Sequence, residues 1–287
     1  MNMRMPTYYL SHGAGPWPYL EGPIRQQFRL LEQSLRDIPR QLPQMPKAVL
    51  VVSGHWEEDE FTVSSSPLPA MDYDYYGFPE EFYQITYPAP GSAMLAERVV
   101  DLLTSAGWPA RSDAWRGFDH GTFSVLAPMF PTADVPVVQL SMKKGFDPGE
   151  HLLAGQALAR LRDEGVLIIG SGQSYVGDWQ SGGAKPAALF DAWLRCTLLE
   201  SSPQARRNAL AAWEEAPAAR AAHPREDHLM PLMVAAGAAA RDPATCIYGE
   251  VLRGAAASSF RFGADRTPTG FDRLAAPAAA AQAWQAR

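Results

Sequence analysis

Short apolar runs bounded by turn residues alternate with amphipathic stretches along most of the chain. The apolar runs predict strands at Tyr8–Leu10, Ala48–Ser53, Phe61–Ser64, Val135–Leu140, Val166–Gly170, Cys246–Leu252 and Ser258–Phe262. The amphipathic stretches predict helices at Ala93–Ser105, Gly149–Asp163, Ala187–Leu199 and Leu229–Ala240. Because the two patterns alternate, we expect an α/β fold with helices on both faces of a mostly parallel or mixed central sheet.

The chain has no internal repeat and no linker rich enough to divide it. Residues 1–265 are therefore predicted to form a single domain, and the Ala-rich residues 266–287 a C-terminal tail. A proline-rich stretch from Pro67 to Pro90 carries many aromatic residues, which favours an ordered loop. Long ordered loops in a compact domain are usually functional.

Composition excludes several classes of function. The net charge of −6 leaves no basic footprint for nucleic acid. Cys196 and Cys246 are too few and too far apart for a disulfide framework or a cysteine metal cluster. No stretch approaches the roughly 18 apolar residues of a membrane span, and the amino terminus has no long apolar signal region. We expect a cytoplasmic protein that does not bind nucleic acid or membranes.

Two of the six histidines occur in the same local setting. His12 in YYLSHGAGPW and His55 in VLVVSGHWEE each follow a predicted strand and lie beside a glycine. The carboxyl ends of strands are where an α/β sheet places its chemistry. Neutral imidazole is the commonest metal ligand, and a site with few cysteines suits Fe(II) or Zn(II). These two histidines are therefore candidate metal ligands.

The other histidines differ in setting. His223 and His228 are five residues apart, which on a helix would turn them about 140° from each other, so at most one is expected to bind the same ion. His228 is preferred because His223 precedes proline, and Asp227 could orient it or cap a helix. His120 is expected in a loop before a helix, and His151 inside an amphipathic helix as a core residue.

The segment GVLIIGSGQSYVGDW predicts a buried strand followed by a glycine-rich loop at its carboxyl end. Such a loop is a usual place for a ligand. It contains no histidine, cysteine or carboxylate before Asp178. The segment has the form of an active-site loop without a group that could transfer a proton.

Several segments together resemble the class III extradiol ring-cleavage dioxygenases, and most closely the DOPA 4,5-dioxygenase type. They are SHGAGPW, VVSGHWEE, YYGFPEEFYQITYPAPGS, RGFDHGTFSVLAPMFP, VPVVQLSM, LIIGSG and HPREDHLMPLMVAAGA, in family order from about residue 8 to about residue 262. The resemblance implies an α/β domain with a non-haem Fe(II), or in some members Zn(II). Its metal ligands match His12, His55 and His228, and its further active-site histidine matches His120.

The resemblance also implies the reaction and its partners. A catechol-type substrate and O₂ would meet at the metal, and the ring would open beside the diol. Substrate contacts are expected from Tyr76, Phe78, Ser171 and Val176, although the aromatic side chains could equally pack their own loop. Family members often associate, which suggests a homo-oligomer.

The chain departs from the family at one important position. The family's GSGxSxHN loop carries an acid–base histidine, and the alignment places Val176 there and Gly177 at the asparagine. One interpretation is a ring-cleaving dioxygenase whose protons move through His120, Tyr175 or the substrate itself. The alternatives are other metal chemistry, such as a zinc-dependent hydrolase, or a non-catalytic ligand-binding protein.

Overall fold

In the computed structural model, which describes residues 4–178, 183–263 and 270–274, eight strands form one mixed sheet. The strands are β1 (Thr7–Ser11), β2 (Ala48–Glu58), β3 (Phe61–Ser64), β4 (Ala110–Asp113), β5 (Val137–Lys143), β6 (Val166–Gly172), β7 (Ala244–Leu252) and β8 (Ala255–Phe262). Their order across the sheet is β4-β3-β5-β2-β6-β1-β8-β7. This arrangement confirms the predicted single α/β domain with a mixed sheet.

Nine α-helices surround the sheet within the described ranges. They are α1 (Gly22–Gln27), α2 (Arg29–Gln41), α3 (Ala93–Ser105), α4 (His120–Met129), α5 (Pro148–Leu158), α6 (Ala184–Leu199), α7 (Pro203–Ala211), α8 (Ala219–Ala222) and α9 (Met230–Ala239). Short 3₁₀ turns occur at Trp17–Tyr19, Glu80–Tyr83, Ala159–Arg162 and Trp213–Glu215. No helix in this part of the chain is both long and apolar enough to cross a bilayer.

The four central strands, β5, β2, β6 and β1, run parallel. Their register pairs Ser53 of β2 with Ser171 of β6, and Ser11 of β1 with Gly172. The carboxyl ends of β1, β2 and β6 therefore meet at one edge of the sheet, where a functional site is expected in this fold class. The last two strands, β7 and β8, follow each other without a helix and pair antiparallel, which makes the sheet mixed.

Both faces of the central strands are buried, because alternate residues enter two hydrophobic cores. Leu50, Val52 and Ile168 belong to one core, which α3, α5, α6 and α9 also line. Val49, Val51 and Ile169 belong to the other, which α2 and α4 line together with the aromatic loop at residues 67–90. The continuous apolar runs of the sequence are explained by this double burial.

The structure differs from the sequence prediction where the pattern is weak or interrupted. β2 does not end at Ser53 but continues to Glu58, with a change of register between Val52 and Glu57. β4 has the sequence ARSD, which carries no apolar pattern, so the prediction omitted it. It also omitted α2, which has a proline near its end, and the largely polar α7.

Helices α5 and α9 touch through a pair of glycines. A Cβ atom at Gly155 would lie 2.1 Å from the carbonyl oxygen of Val234, and one at Gly237 would lie 2.1 Å from that of Leu152. No real Cβ contact is that short. The two helices can therefore pack this closely only because residues 155 and 237 are glycines without a side chain. Because α9 begins beside His228, this contact also helps to fix the edge of the sheet where the site lies.

Residues 270–274, which fall in the predicted tail, pair with the edge strand β7. The amide of Gly249 donates to Phe271, and Gly249 accepts from the amide of Arg273. Asp272 accepts two hydrogen bonds from the buried Arg195 of α6, at 2.7 and 2.8 Å. Residues 266–269 and 275–287, the rest of the predicted tail, lie outside the described residues.

The close contact of α5 and α9 can be tested with Gly155→Ala. The added methyl group must push the helices apart, so we expect the free energy of unfolding to fall by about 1–3 kcal/mol. Urea denaturation measures the loss. Gly149→Ala on the same helix is the matched control, since its added Cβ would approach only the Asp147 side chain, at 3.1 Å. Equal effects of the two substitutions would contradict the proposed packing constraint.

Candidate active site

Four histidines from four different elements converge at the carboxyl edge of the central strands. His12 directly follows β1, and His55 lies on the extension of β2. His120 is the first residue of α4, with Asp119 as its N-cap, and His228 lies just before α9. The structure thus brings the three predicted metal ligands and the predicted active-site histidine into one cluster.

The four imidazole rings form a cluster in which five pairs of rings are in contact. The His12 ring centroid lies 4.9 Å from that of His55, 5.1 Å from that of His120 and 5.2 Å from that of His228. The centroid of His55 lies 4.0 Å from that of His120 and 4.8 Å from that of His228. His12 and His55 therefore form the centre of the cluster, and each of the other two contacts both.

The outward nitrogens of three histidines face carboxylates. Nδ1 of His120 lies 2.9 Å from both oxygens of Asp74, and Nδ1 of His55 lies 3.3 Å from Oδ2 of the same side chain. Nδ1 of His228 lies 2.9 Å from Oδ1 of Asp227, which is the contact that an orienting residue makes. A carboxylate on Nδ1 favours the tautomer that leaves a lone pair on Nε2.

Burial keeps the centre of the cluster uncharged. It lowers the pKa of His12 and of His55 well below the ordinary value, and neighbouring histidines lower both further. Burial alone would raise the pKa of Asp227, but its hydrogen bonds from His228 and the nearby Arg225 lower it to about 2. Neutral imidazoles beside ionised carboxylates are the protonation states that metal binding requires.

The donor set fits a metal ion. Nε2 of His12 lies 3.3 Å from Nε2 of His55. With metal–nitrogen bonds of about 2.0–2.1 Å, two ligands of a tetrahedral ion lie about 3.3 Å apart. Candidate ligand atoms of His12, His55 and His120 all lie within 4.8 Å of one another. His228 adjoins this trio through its ring contacts, so either His120 or His228 can supply a third nitrogen.

A buried ion pair fixes the start of α4. Asp119 is fully buried, accepts from Ser53 Oγ at 2.8 Å and caps the amide of Thr122 at 3.0 Å. Arg116 bridges Asp119 and Asp72, at 2.5 Å each. The sequence analysis missed Asp74, Asp119 and Arg116. Only Asp119 carries a local signal, since aspartate is one of the preferred residues at a helix N-cap.

The loop after β6 runs alongside the segment that carries His228. Gln173 donates its amide to the carbonyl of His228, and Val176 donates to the carbonyl of Ala222. Val176 is half-buried. Tyr175 is buried, with its hydroxyl 3.2 Å from the carbonyl of Asp178, and Ser171 Oγ donates to the carbonyl of Gly121. The roles predicted for these side chains in catalysis and substrate binding stay predictions.

Aromatic side chains extend outward from His120. The Tyr75 ring centroid lies 6.1 Å from that of His120, and the Phe78 centroid lies 5.5 Å from that of Tyr75. Tyr75 is buried, whereas Tyr76 is 91% exposed. The loop at residues 67–90 is therefore ordered, as predicted, and brings both Asp74 and aromatic rings to the histidine cluster.

The remaining two histidines have separate settings. His151 is buried in α5, where Nε2 accepts from the amide of Lys143 and Nδ1 donates to the carbonyl of Asp147. This confirms the predicted core role. His223 is also buried, and its Nε2 donates to the carbonyl of Ser174 at 3.2 Å. It therefore holds the loop that carries Val176.

Comparison with known proteins identifies the family. The family model described as the catalytic LigB subunit of aromatic ring-opening dioxygenase matches residues 6–260. The chain belongs to the LigB family. This confirms the resemblance found in the sequence, and it supports a dioxygenase.

Curated relatives match over most of their length. A protein from Beta vulgaris named 4,5-DOPA dioxygenase extradiol is 40% identical over 243 residues, covering 81% of this chain and 86% of that protein. A protein of the same name from Escherichia coli K12 is 34% identical, with 82% and 85% covered. The crystal structure of an uncharacterized protein from Escherichia coli K12 matches with a TM-score of 0.73 and 30% identity, covering 91% of this chain and all of that one.

The buried His223 should make stability depend on pH. Burial lowers its pKa from 6.5 to about 3. Below pH 6.5 the unfolded chain therefore takes up a proton that the folded chain excludes, and stability falls as the pH drops towards 3. At pH 5 the cost is about 2 kcal/mol relative to pH 7.

Urea denaturation of metal-free protein at pH 7 and pH 5 tests this effect. In His223→Gln the pH-dependent loss should be smaller than in the wild type by that amount. The other histidines are present in both proteins, so the difference isolates residue 223. Equal losses in the two proteins would show that His223 is not held neutral.

Proposed function

We propose that the chain is an extradiol dioxygenase that opens the aromatic ring of a catechol-type substrate beside the diol, with O₂ as cosubstrate. The observation that carries the proposal is the cluster of four histidines, three of which have an outer nitrogen facing a carboxylate, on a chain of the LigB family. The name 4,5-DOPA dioxygenase extradiol of several relatives supports a catechol-type substrate.

His12, His55 and His228 are the proposed ligands, and Fe(II) the proposed ion, with Zn(II) as the alternative. His12 and His55 form the centre of the cluster and belong to every candidate set. The family resemblance favours His228 as the third ligand, whereas the proximity of ligand atoms favours His120. A bound Fe(II) would supply the open positions at which a catechol and O₂ are brought together.

His120 is the proposed group that moves protons. Its Nδ1 faces Asp74, which favours the tautomer with the proton on Nδ1, and in that tautomer Nε2 can take a proton from a substrate hydroxyl. The Asp74 carboxylate would stabilise the resulting imidazolium, as a carboxylate does for a general-base histidine elsewhere. General acid–base catalysis of this kind typically contributes about 10²–10⁴-fold. Tyr175 is the less favoured candidate, because its hydroxyl lies at the carbonyl of Asp178.

Val176 cannot serve as a proton carrier. Its side chain is half-buried in a loop whose backbone contacts the His228 segment. We propose that it forms part of an apolar wall of the substrate site, together with Phe78 and Tyr75 of the aromatic loop. This arrangement would favour a substrate with an apolar face over one that needs a polar contact there.

The ligand assignment predicts the metal content of single variants. His12→Ala and His55→Ala should each abolish binding of the ion, and His228→Ala should do so while His120→Ala does not. Elemental analysis after reconstitution and desalting measures the occupancy. His151→Gln is the control, since this buried histidine lies outside the cluster. Loss of metal in His120→Ala with retention in His228→Ala would reverse the third assignment.

The function itself predicts oxygen uptake and a yellow ring-opened product after anaerobic loading with Fe(II), on a panel of catechols that includes DOPA. Val176→His should raise kcat on a simple catechol at least tenfold, because it supplies a second proton carrier. Val176→Gln is the control, because glutamine is similar in size to histidine but does not titrate. No oxygen uptake with any catechol, accompanied by ester or amide hydrolysis, would overturn the proposal in favour of a metal-dependent hydrolase.

A further inference from the structure

Asp74 turns a carboxylate inward from a loop that is otherwise exposed. Residue 74 as a whole is exposed, yet its side chain is only 17% exposed. The loop approaches α4 through the bridge between Met71 and Phe118. In the same region the amide of Asp72 donates to the carbonyl of Phe118 at 2.8 Å. The carboxylate is thus delivered to the histidine cluster by a backbone that is itself fixed.

Three N–H groups converge on this carboxylate. Oδ1 accepts the backbone amide of His120 at 2.9 Å and lies 2.9 Å from Nδ1 of the same residue. Oδ2 lies 2.9 Å from Nδ1 of His120 and 3.3 Å from Nδ1 of His55. The amide of His120 belongs to the first turn of α4, where backbone N–H groups lack helical partners and a negative charge is favoured.

A carboxylate can only accept hydrogen bonds, which constrains both rings at once. An Nδ1 atom that faces it must carry the proton, and a neutral imidazole carries only one. In the neutral form of each ring, the proton on Nδ1 leaves Nε2 of His55 and Nε2 of His120 unprotonated. The same side chain therefore prepares His55 to bind the ion and His120 to accept a proton.

We propose that Asp74 is a positioning residue that sets the tautomers of His55 and His120 together. Its effect on His120 as a proton carrier rests on the proposed function, whereas its effect on the two tautomers and on metal binding does not. The proposal makes the metal site and the proton carrier depend on a single side chain of the aromatic loop.

Asp227 provides a natural comparison, because it serves one histidine through one oxygen. Its Oδ1 accepts both the amide of His228, at 2.8 Å, and Nδ1 of His228, at 2.9 Å. Its Oδ2 faces Arg225 at 3.4 Å. An asparagine at 227 can keep both bonds to His228 through its single carbonyl oxygen, so the tautomer of His228 does not need the second oxygen.

An asparagine at 74 cannot satisfy both rings. The backbone N–H of His120 requires an oxygen at the Oδ1 position, which places the NH₂ group at the Oδ2 position, against Nδ1 of His55. That NH₂ group needs an acceptor, so the proton of His55 moves to Nε2. A protonated Nε2 cannot bind the ion, and loss of an orienting partner typically costs about 10–100-fold in metal affinity.

The experiment measures tautomers in metal-free protein by side-chain ¹⁵N–¹H correlation spectra of histidine-labelled samples. The wild type should show His55 and His120 both protonated on Nδ1. Asp74→Asn should convert His55 to the Nε2-protonated tautomer and leave the tautomer of His120 unchanged. Asp227→Asn should leave the tautomers of His55, His120 and His228 all unchanged. If wild-type His55 or His120 carries its proton on Nε2, the proposal is wrong, and that result needs no variant.

Zinc(II) binding gives a second measurement that does not depend on turnover. In competition with a chromogenic chelator, Asp74→Asn should bind zinc about 10–100-fold more weakly than the wild type. Asp101→Asn, the same substitution on the exposed side of α3, should bind it equally. Unchanged affinity in Asp74→Asn would overturn the proposal. Absence of ring cleavage in every variant would instead overturn the proposed function and leave these two measurements valid.

Discussion

The site depends on holding four imidazole rings close together, with the two central rings, His12 and His55, kept uncharged. Rings whose centroids lie 4.0–5.2 Å apart would repel strongly if protonated. Burial removes the protons from His12 and His55, and carboxylates at the outer nitrogens of His55, His120 and His228 direct the lone pairs of those three rings inward. The fold produces this arrangement. Parallel strands bring His12 and His55 to one edge of the sheet, and α4 and the segment before α9 bring His120 and His228 to the same edge.

The sequence predicts the centre of the site better than its surroundings. His12 and His55 share a strand–histidine–glycine context, and the position of each along its own strand already places it at the carboxyl edge. Asp74 could not be found in this way, because its role depends on how a loop of irregular backbone crosses to α4. Likewise, the ion pair between Arg116 and Asp119 joins residues whose burial only the folded chain reveals.

In the fold, too, some elements could be predicted from the sequence and others could not. Strands with continuous apolar runs were predicted because both of their faces are buried, and the α/β class followed from their alternation with helices. The strand β4 was not, because its stability comes from pairing with β3 and not from its own side chains. The extension of β2 beyond Ser53 depends on a change of register that no periodicity reveals, yet it positions His55.

The loop after β6 is held in place by contacts that do not involve the side chain at position 176, where the family has its acid–base histidine. Its backbone contacts His228 and Ala222, Ser174 Oγ accepts the amide of Ser258, and His223 donates to the carbonyl of Ser174. None of these contacts uses the side chain at position 176. A valine can therefore replace the family's histidine at position 176 without changing the path of the loop. The rest of the loop still matches the family pattern for this reason.

Every open sheet has two edge strands whose unpaired backbone groups can recruit a strand from another molecule. At one edge, β4 is short and carries Arg111, which pairs with Glu58 and Glu60. At the other, residues 270–274 pair with β7 and are tied to α6 through Asp272 and Arg195. The chain thus occupies its own edge, and this short segment beyond the last strand acts as protection against strand-to-strand aggregation.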